Sequence, residues 1–154
     1  MELPIFPLNG AVLFPETNLP LNIFEDRYIE MINYSLSRNR FIGMIQLDNN
    51  KNLYNIGCVG KIHSFNETDD GRYLISLHGT NCFKVIKEIK NNYSFRMIDA
   101  EIIENEKNSD LFNDQQKIDF LKKYENYIKL KNINLNLDDL DKIDLSQIIK
   151  FITM

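Results

Sequence analysis

No proline occurs after position 20 of this 154-residue chain; Pro4, Pro7, Pro15 and Pro20 are the whole complement. The opening segment is therefore not a regular helix, because each proline removes a helical hydrogen bond and pushes its predecessor to extended geometry. Cysteine is equally scarce. Cys58 and Cys82 form no CxxC pair and no disulfide framework, so they are expected as buried thiols in a reducing compartment. Histidine stands only at positions 63 and 78 and tryptophan is absent. No basic block appears and the net charge is −4, which argues against a nucleic-acid backbone as partner. The start, MELPIFPL, has no basic region and no long apolar stretch, and no 18-residue apolar run occurs. Neither a signal peptide nor a membrane span is expected, and the expected location is cytoplasmic.

What is present suffices for one packed core: 44% hydrophobic and 26% charged residues. Leu3 to Phe24 reads as short extended pieces joined at Asn9-Gly10, an edge strand or two broken strands wrapping a core. Glu25-Asp26 opens a helix whose apolar face is Tyr28, Ile29, Met31, Ile32, Ser35 and Leu36. Strands are expected at 41–47, 56–65 and 93–103. Thr68-Asp-Asp-Gly71 is a hairpin turn. The returning strand carries Tyr73, Ile75 and Leu77 on one face, and Gly79 marks a bulge or barrel corner. Five or six strands running as hairpins, with one inserted helix, predict a mostly β (α+β) fold: a small antiparallel barrel, closed or half-closed.

From Asp110 the pattern turns helical, with Ile118, Leu121, Tyr124 and Ile128 at helical spacing. A further helix is expected from Asp144, with Gln147 completing a capping pair and Leu145, Ile148, Ile149 and Ile152 as its stripe. The expected division is a β domain over 1–104 and a helical extension over 105–154, truncated with its apolar face unfinished. Self-association through that last helix is expected.

The segments LPIFPLNGAVLFPETNLPLNIFEDRYIEMI, FIGMIQL and IGCVGKIHSFNETDDGRYLISLHGTNCFKV resemble, in that order, the N-terminal substrate-binding domain of Lon proteases, and in particular the small proteins built from that domain alone. The resemblance covers residues 3–104 and implies a PUA-like pseudobarrel of about six strands with an early inserted helix and a helical tail. Pro4, Phe6, Pro7, Phe14, Pro15, Leu21, Phe24, Glu25, Arg27 and Tyr28 match the opening pattern, and Gly43, Gly57, Gly60 and Gly79 match later glycines. Many relatives carry arginine where this chain has Cys82.

The catalytic parts of such a protease are not visible. GCVGK at 57–61 is no phosphate loop: its glycines are too close and no Ser or Thr follows Lys61. No serine lies in a G-x-S-x-G elbow. The sharpest chemical alternative is a metal site from His63, His78, Cys58 and Cys82. If hairpin partners sum to about 141, His63 faces His78 and Cys58 lies near residue 83. Metal ligands usually cluster more closely, and two hairpin-facing polar residues are the simpler account. No catalytic residue, metal or cofactor is expected.

Most of the ten phenylalanines and seven tyrosines belong to the core. Tyr54, Phe65 and Tyr73 flank loops, and Leu13, Phe14 and Leu19 lie in the opening segment. These six are the expected exposed apolar patch for unfolded peptide. The chain thus reads as a non-catalytic module that binds unfolded or extended polypeptide, alongside a protease or chaperone. An RNA-binding PUA-like domain and a small metal-dependent hydrolase are the alternatives.

Overall fold

The computed structural model describes residues 1–104 and 114–131. By internal contacts the chain divides into two compact units, Met1–Asn105 and Glu106–Met154. The first unit holds β1 (Glu2–Pro7), β2 (Asn18–Ile23), α1 (Asp26–Leu36), β3 (Phe41–Ile45), β4 (Ile56–Glu67), β5 (Tyr73–Ile89) and β6 (Arg96–Ile103). The strands form one mixed sheet in the order β2-β5-β4-β3-β1-β6, and a further β5–β6 pairing closes five of them into a near-ring. The expected six strands and inserted helix are present. The sheet is not antiparallel throughout, because β1 runs parallel to β3, Ile5 opposite Gly43.

The prolines are placed by what they cannot donate. Pro4 faces Met97 on β6, before the β3 pairing starts at Ile5, and Pro7 ends the strand. β1 is therefore paired on both sides and not an edge, while the opening segment does form the two broken strands, β1 and β2, that were the other expectation. Pro20 sits in β2, which pairs only with β5 among the described strands and so tolerates a missing N–H.

The ring encloses one core. Leu3, Ile5, Ile45, Val59, Phe83, Ile98 and Ala100 converge from all five strands and are buried. The opposite faces carry a second core with Phe6, Met44, Cys58, Ile62 and Leu77. Helix α1 covers it with Tyr28, Met31 and Ile32, the face expected from the 3–4 spacing. Glu25 is its N-cap by conformation, and Asp26 lies in the first turn, where negative charge suits the helix dipole.

The β4–β5 hairpin closes through Thr68 N to Arg72 O (2.9 Å) and Gly71 N to Thr68 O (2.9 Å), with Gly71 at φ +80°. The β5–β6 pairing carries a two-pronged ion pair, Arg96 Nε to Glu88 Oε1 (2.7 Å) and Nη2 to Oε2 (2.8 Å). The Arg96 bond holds the Glu88 carboxyl below the ordinary glutamate range, with burial opposing it. A depressed folded-state pKa contributes stability above the unfolded value, lost as pH falls through the folded value. Both side chains are more than a third exposed, so the contribution is about 0.5 kcal/mol. Glu88→Gln is expected to lower the melting temperature slightly near neutral pH and to match the parent in acid below both values; an equal deficit at both pH values would remove the ion pair as its cause.

The second unit is described over α2 (Asp114–Lys131), as the spacing of Ile118, Leu121 and Tyr124 predicts. Gln115 donates to Asp119 (3.0 Å) and Lys129 to Glu125 (2.7 Å), both one turn apart. The helix expected from Asp144, with its stripe of Leu145, Ile148, Ile149 and Ile152, lies outside the described residues.

Candidate functional site

The opening segment between β1 and β2 is fixed to the sheet by a cross-strand glycine pair. Gly60 and Gly79 face each other across β4 and β5. A Cβ on Gly60 would come within 2.9 Å of Leu13 Cδ2, and one on Gly79 within 3.2 Å of Leu13 Cγ. Leu13 therefore drops into a notch that two missing side chains create. The backbone is tied at the same place: Gly79 N donates to Thr17 O (2.8 Å) and Glu16 N to Gly79 O (2.9 Å). Thr17 closes the turn, its hydroxyl donating to Phe14 O (2.8 Å).

Held there, residues 11–14 form one wall of a cavity of about 420 Å³. The facing wall is built by the end of β3 and the segment entering β4. Tyr54 N donates to Gln46 O (3.1 Å) and Val85 N to Asn55 O (2.8 Å). Below it, Asp48 Oδ1 accepts from the Asn50 and Asn52 amides (2.8 Å each). Bonds from Asn52 hold the Asp48 carboxyl below its usual range. The floor follows from strand register. Phe6, Met44, Cys58, Cys82 and Ile103 are successive partners across β1, β3, β4, β5 and β6. Register partners project to one face of a sheet, so this row is continuous, and Met44, Cys58 and Cys82 line the cavity. Tyr54 and Ile56 stand at its mouth, 54% and 49% exposed. The lining is chiefly apolar, with Gln46 and Asn55 as its amide side chains.

The six residues expected to form the apolar patch do not form one. Leu13, Phe14 and Tyr54 meet at this cavity. Leu13 itself is buried (3% exposed), as are Leu19 (8%) and Tyr73 (9%). Leu13 is buried by the glycine notch, Leu19 through its β2 position facing Leu77 and the main core. Tyr73 packs edge-on against Phe65 (4.9 Å between ring centres), and its hydroxyl donates to Asn33 Oδ1 (3.3 Å). Phe65, opposite Ile75 near the turn of the hairpin, is exposed and does not line the cavity. Ile56, Met44 and the two cysteines were not anticipated as lining. For Met44 and the two cysteines the signal is the row of facing positions 44, 58 and 82, which appears only once the register is known.

That register also corrects the histidine pairing. Irregularities between Cys58 and Gly60 and between Ile62 and Ser64 shift the alignment, so His78 faces Lys61 and His63 falls within the second irregularity. His78 Nδ1 lies 3.0 Å from Asn18 Oδ1 on β2. Cys58 faces Cys82, not residue 83. Among the described residues no group of three or more His, Cys, Asp or Glu is placed to hold a metal ion.

A smaller cavity of about 230 Å³ opens beside the start of α1, where Arg27, Lys51 and Arg96 approach Tyr28 and Ser94. Its cations are largely matched: Arg27 meets Glu25 at 2.7 Å and Arg96 meets Glu88. Burial raises the Tyr28 phenol above its ordinary value, with the Arg27 charge opposing. Ser94 donates through its hydroxyl and its amide to Glu30, holding that carboxyl low.

Residues 2–150 match the family described as the ATP-dependent protease La (LON) substrate-binding domain. The chain is 30% identical over 79 residues to Lon protease 1 of Bdellovibrio bacteriovorus, covering 47% of this chain and 10% of that protein. It is 26% identical over 148 residues to Lon protease of Buchnera aphidicola subsp. Acyrthosiphon pisum, covering 89% and 18%. The chain thus spans less than a fifth of the length of these curated relatives. Among solved structures, the Lon N-terminal domain protein from Xanthomonas campestris superposes with a TM-score of 0.64 at 22% identity, over 77% of this chain and 68% of that one. The N-terminal domain of Mycobacterium avium complex Lon protease gives 0.60 at 12% identity, over 95% and 81%. Both support the fold.

Proposed function

Because the chain belongs to the ATP-dependent protease La (LON) substrate-binding domain family, we propose that it captures extended apolar segments of unfolded polypeptide and does no chemistry on them itself. The observation that carries this reading is the open apolar cavity between residues 11–14 and the Tyr54–Ile56 wall, with large hydrophobic side chains left exposed at its mouth. An extended segment could seat alternate side chains there, while Gln46 and Asn55 offer donors and acceptors to its backbone. Phe14 and Tyr54 are the proposed contacts and Leu13 the buried anchor of one wall; Phe65, which does not line the cavity, is not among them. The reading of the chain as an RNA binder gains no support from the cations near α1, since two of the three are held by carboxylates.

Titrating the protein with a labelled, permanently unfolded polypeptide tests this. Phe14→Ala and Tyr54→Ala are each expected to weaken binding about tenfold, a loss of about 1.4 kcal/mol, as for aromatic contacts at an interface. Tyr54 is exposed, so its variant should keep the parent's melting temperature. Binding that is absent in the parent, or unchanged in both variants, would remove the groove as the site.

Residues 1–104 are proposed to be sufficient for this role, with 105–154 as a separate extension. A chain ending at Glu104 is expected to melt cooperatively and to bind the same polypeptide within about twofold of the full chain. A truncated chain that is unfolded in solution would show that the β domain needs the extension.

A further inference from the structure

The floor of the groove holds the chain's two thiols directly opposite each other, Cys58 on β4 and Cys82 on β5. From this juxtaposition we propose that Cys58 and Cys82 form a dithiol–disulfide site, oxidised by small disulfides of the glutathione class that enter through the groove. Facing residues of an antiparallel pair have Cα atoms about 4.5–5.5 Å apart, inside the roughly 4.4–6.8 Å range of disulfides. The backbone there can adjust: the register slips between Cys58 and Gly60, and Gly57 and Gly60 flank Cys58 closely.

The two thiols differ in access, and that difference sets the order of events. Both line the cavity, but Cys82 is half-buried whereas Cys58 is buried. The Cys82 thiolate attacks one sulfur of the small disulfide, forming a mixed disulfide and releasing one small thiolate. The Cys58 thiolate then attacks the Cys82 sulfur, closing the Cys58–Cys82 bond and releasing the second. The two protein thiols are oxidised, the small disulfide is reduced to two thiols, and the two protons lost by the protein end on them. The product staples β4 to β5 across the groove floor and replaces two S–H groups there with one sulfur–sulfur bond. This step rests on the register and on access through the cavity, not on whether polypeptide binds in the groove.

The test uses the full chain and no polypeptide. The reduced protein is incubated with oxidised glutathione, quenched in acid, alkylated under denaturing conditions and weighed intact. The expected product is a monomer lighter by two hydrogen atoms, with both alkylation sites lost and restored by dithiothreitol. Cys82→Ser is expected to abolish that species, and Cys58→Ser to stop at a glutathione adduct on Cys82. If either variant folds poorly, the parent's own mass remains decisive. Two alkylatable thiols after incubation, a persistent glutathione adduct on the parent, or a disulfide-linked dimer would each overturn the proposal.

Discussion

Gly79→Ala is expected to destabilise the domain by about 3 kcal/mol or more, toward the upper end for a single methyl group. The added Cβ would overlap the Phe14 carbonyl oxygen and lie 2.8 Å from the Phe14 carbonyl carbon. These are backbone atoms, so no side-chain rotation relieves the clash. The segment cannot back away cheaply either. It is held by Gly79 N to Thr17 O and Glu16 N to Gly79 O, and withdrawing it would lift Leu13 out of its notch. The variant should therefore melt at a much lower temperature and lose polypeptide binding along with its groove wall. Gly71→Ala is the control. Its Cβ would meet nothing within 4 Å, and its cost comes only from a φ of +80°, worth about 1 kcal/mol. A Gly79→Ala protein as stable as the Gly71→Ala protein would mean that the close crossing of residues 14–17 over β5 does not exist.

The second large effect is expected at Phe83, which is fully buried inside the ring. Its aromatic ring occupies space left by two glycines on other strands. It lies within 3.1 Å of where a Gly43 Cβ would be and 2.5 Å of a Gly57 Cβ. Phe83→Ala should cost about 3–5 kcal/mol, because five hydrogen-bonded strands cannot collapse onto the cavity left behind. The same geometry makes a signed coupling. The atoms nearest a Gly43 Cβ all belong to side chains, those of Leu3, Ile5 and Phe83, so Gly43→Ala should be destabilising alone yet less so in a Phe83→Leu background. Gly57→Ala should gain less from that background, since its Cβ also meets the Met44 carbonyl oxygen at 2.5 Å. Urea melts of the two double-mutant cycles read this directly; strict additivity in both would place Phe83 elsewhere in the core.

Local signals in the sequence led reliably to local structure. The prolines bounded the extended opening, the Tyr28, Met31, Ile32 spacing gave the covered face of α1, and Asp70-Gly71 gave the hairpin. What escaped was long-range and cumulative. The parallel β1–β3 pairing spans an intervening strand and helix, and no periodicity encodes it. The β4–β5 partners were expected to keep a constant sum; the register runs one residue off that sum at Cys58, which sets it against Cys82, and two irregularities displace His63 from His78. Such irregularities bend and twist strands that must close into a ring. For the site, composition pointed to exposed apolar residues and picked out Leu13, Phe14 and Tyr54. It could not reveal that Leu13 is buried, because the notch that buries it comes from Gly60 and Gly79, residues distant in sequence.

The closure of the ring also governs when the domain can first exist during synthesis. Leu3 pairs with Ile98 and Glu2 with Asp99, so within this domain β1, made early, is locked on one side only by β6, made late. Until β6 emerges, β1 has an open edge and Leu3 and Ile5 lack Ile98 and Ala100 beside them. At about 5–20 residues per second the nascent chain spends several seconds in that state. During that interval its own opening strand is an unfolded apolar segment of the kind the finished groove is proposed to hold. Folding from the denatured state inherits the same late step, and should fall with other non-local β topologies in the millisecond-to-second range.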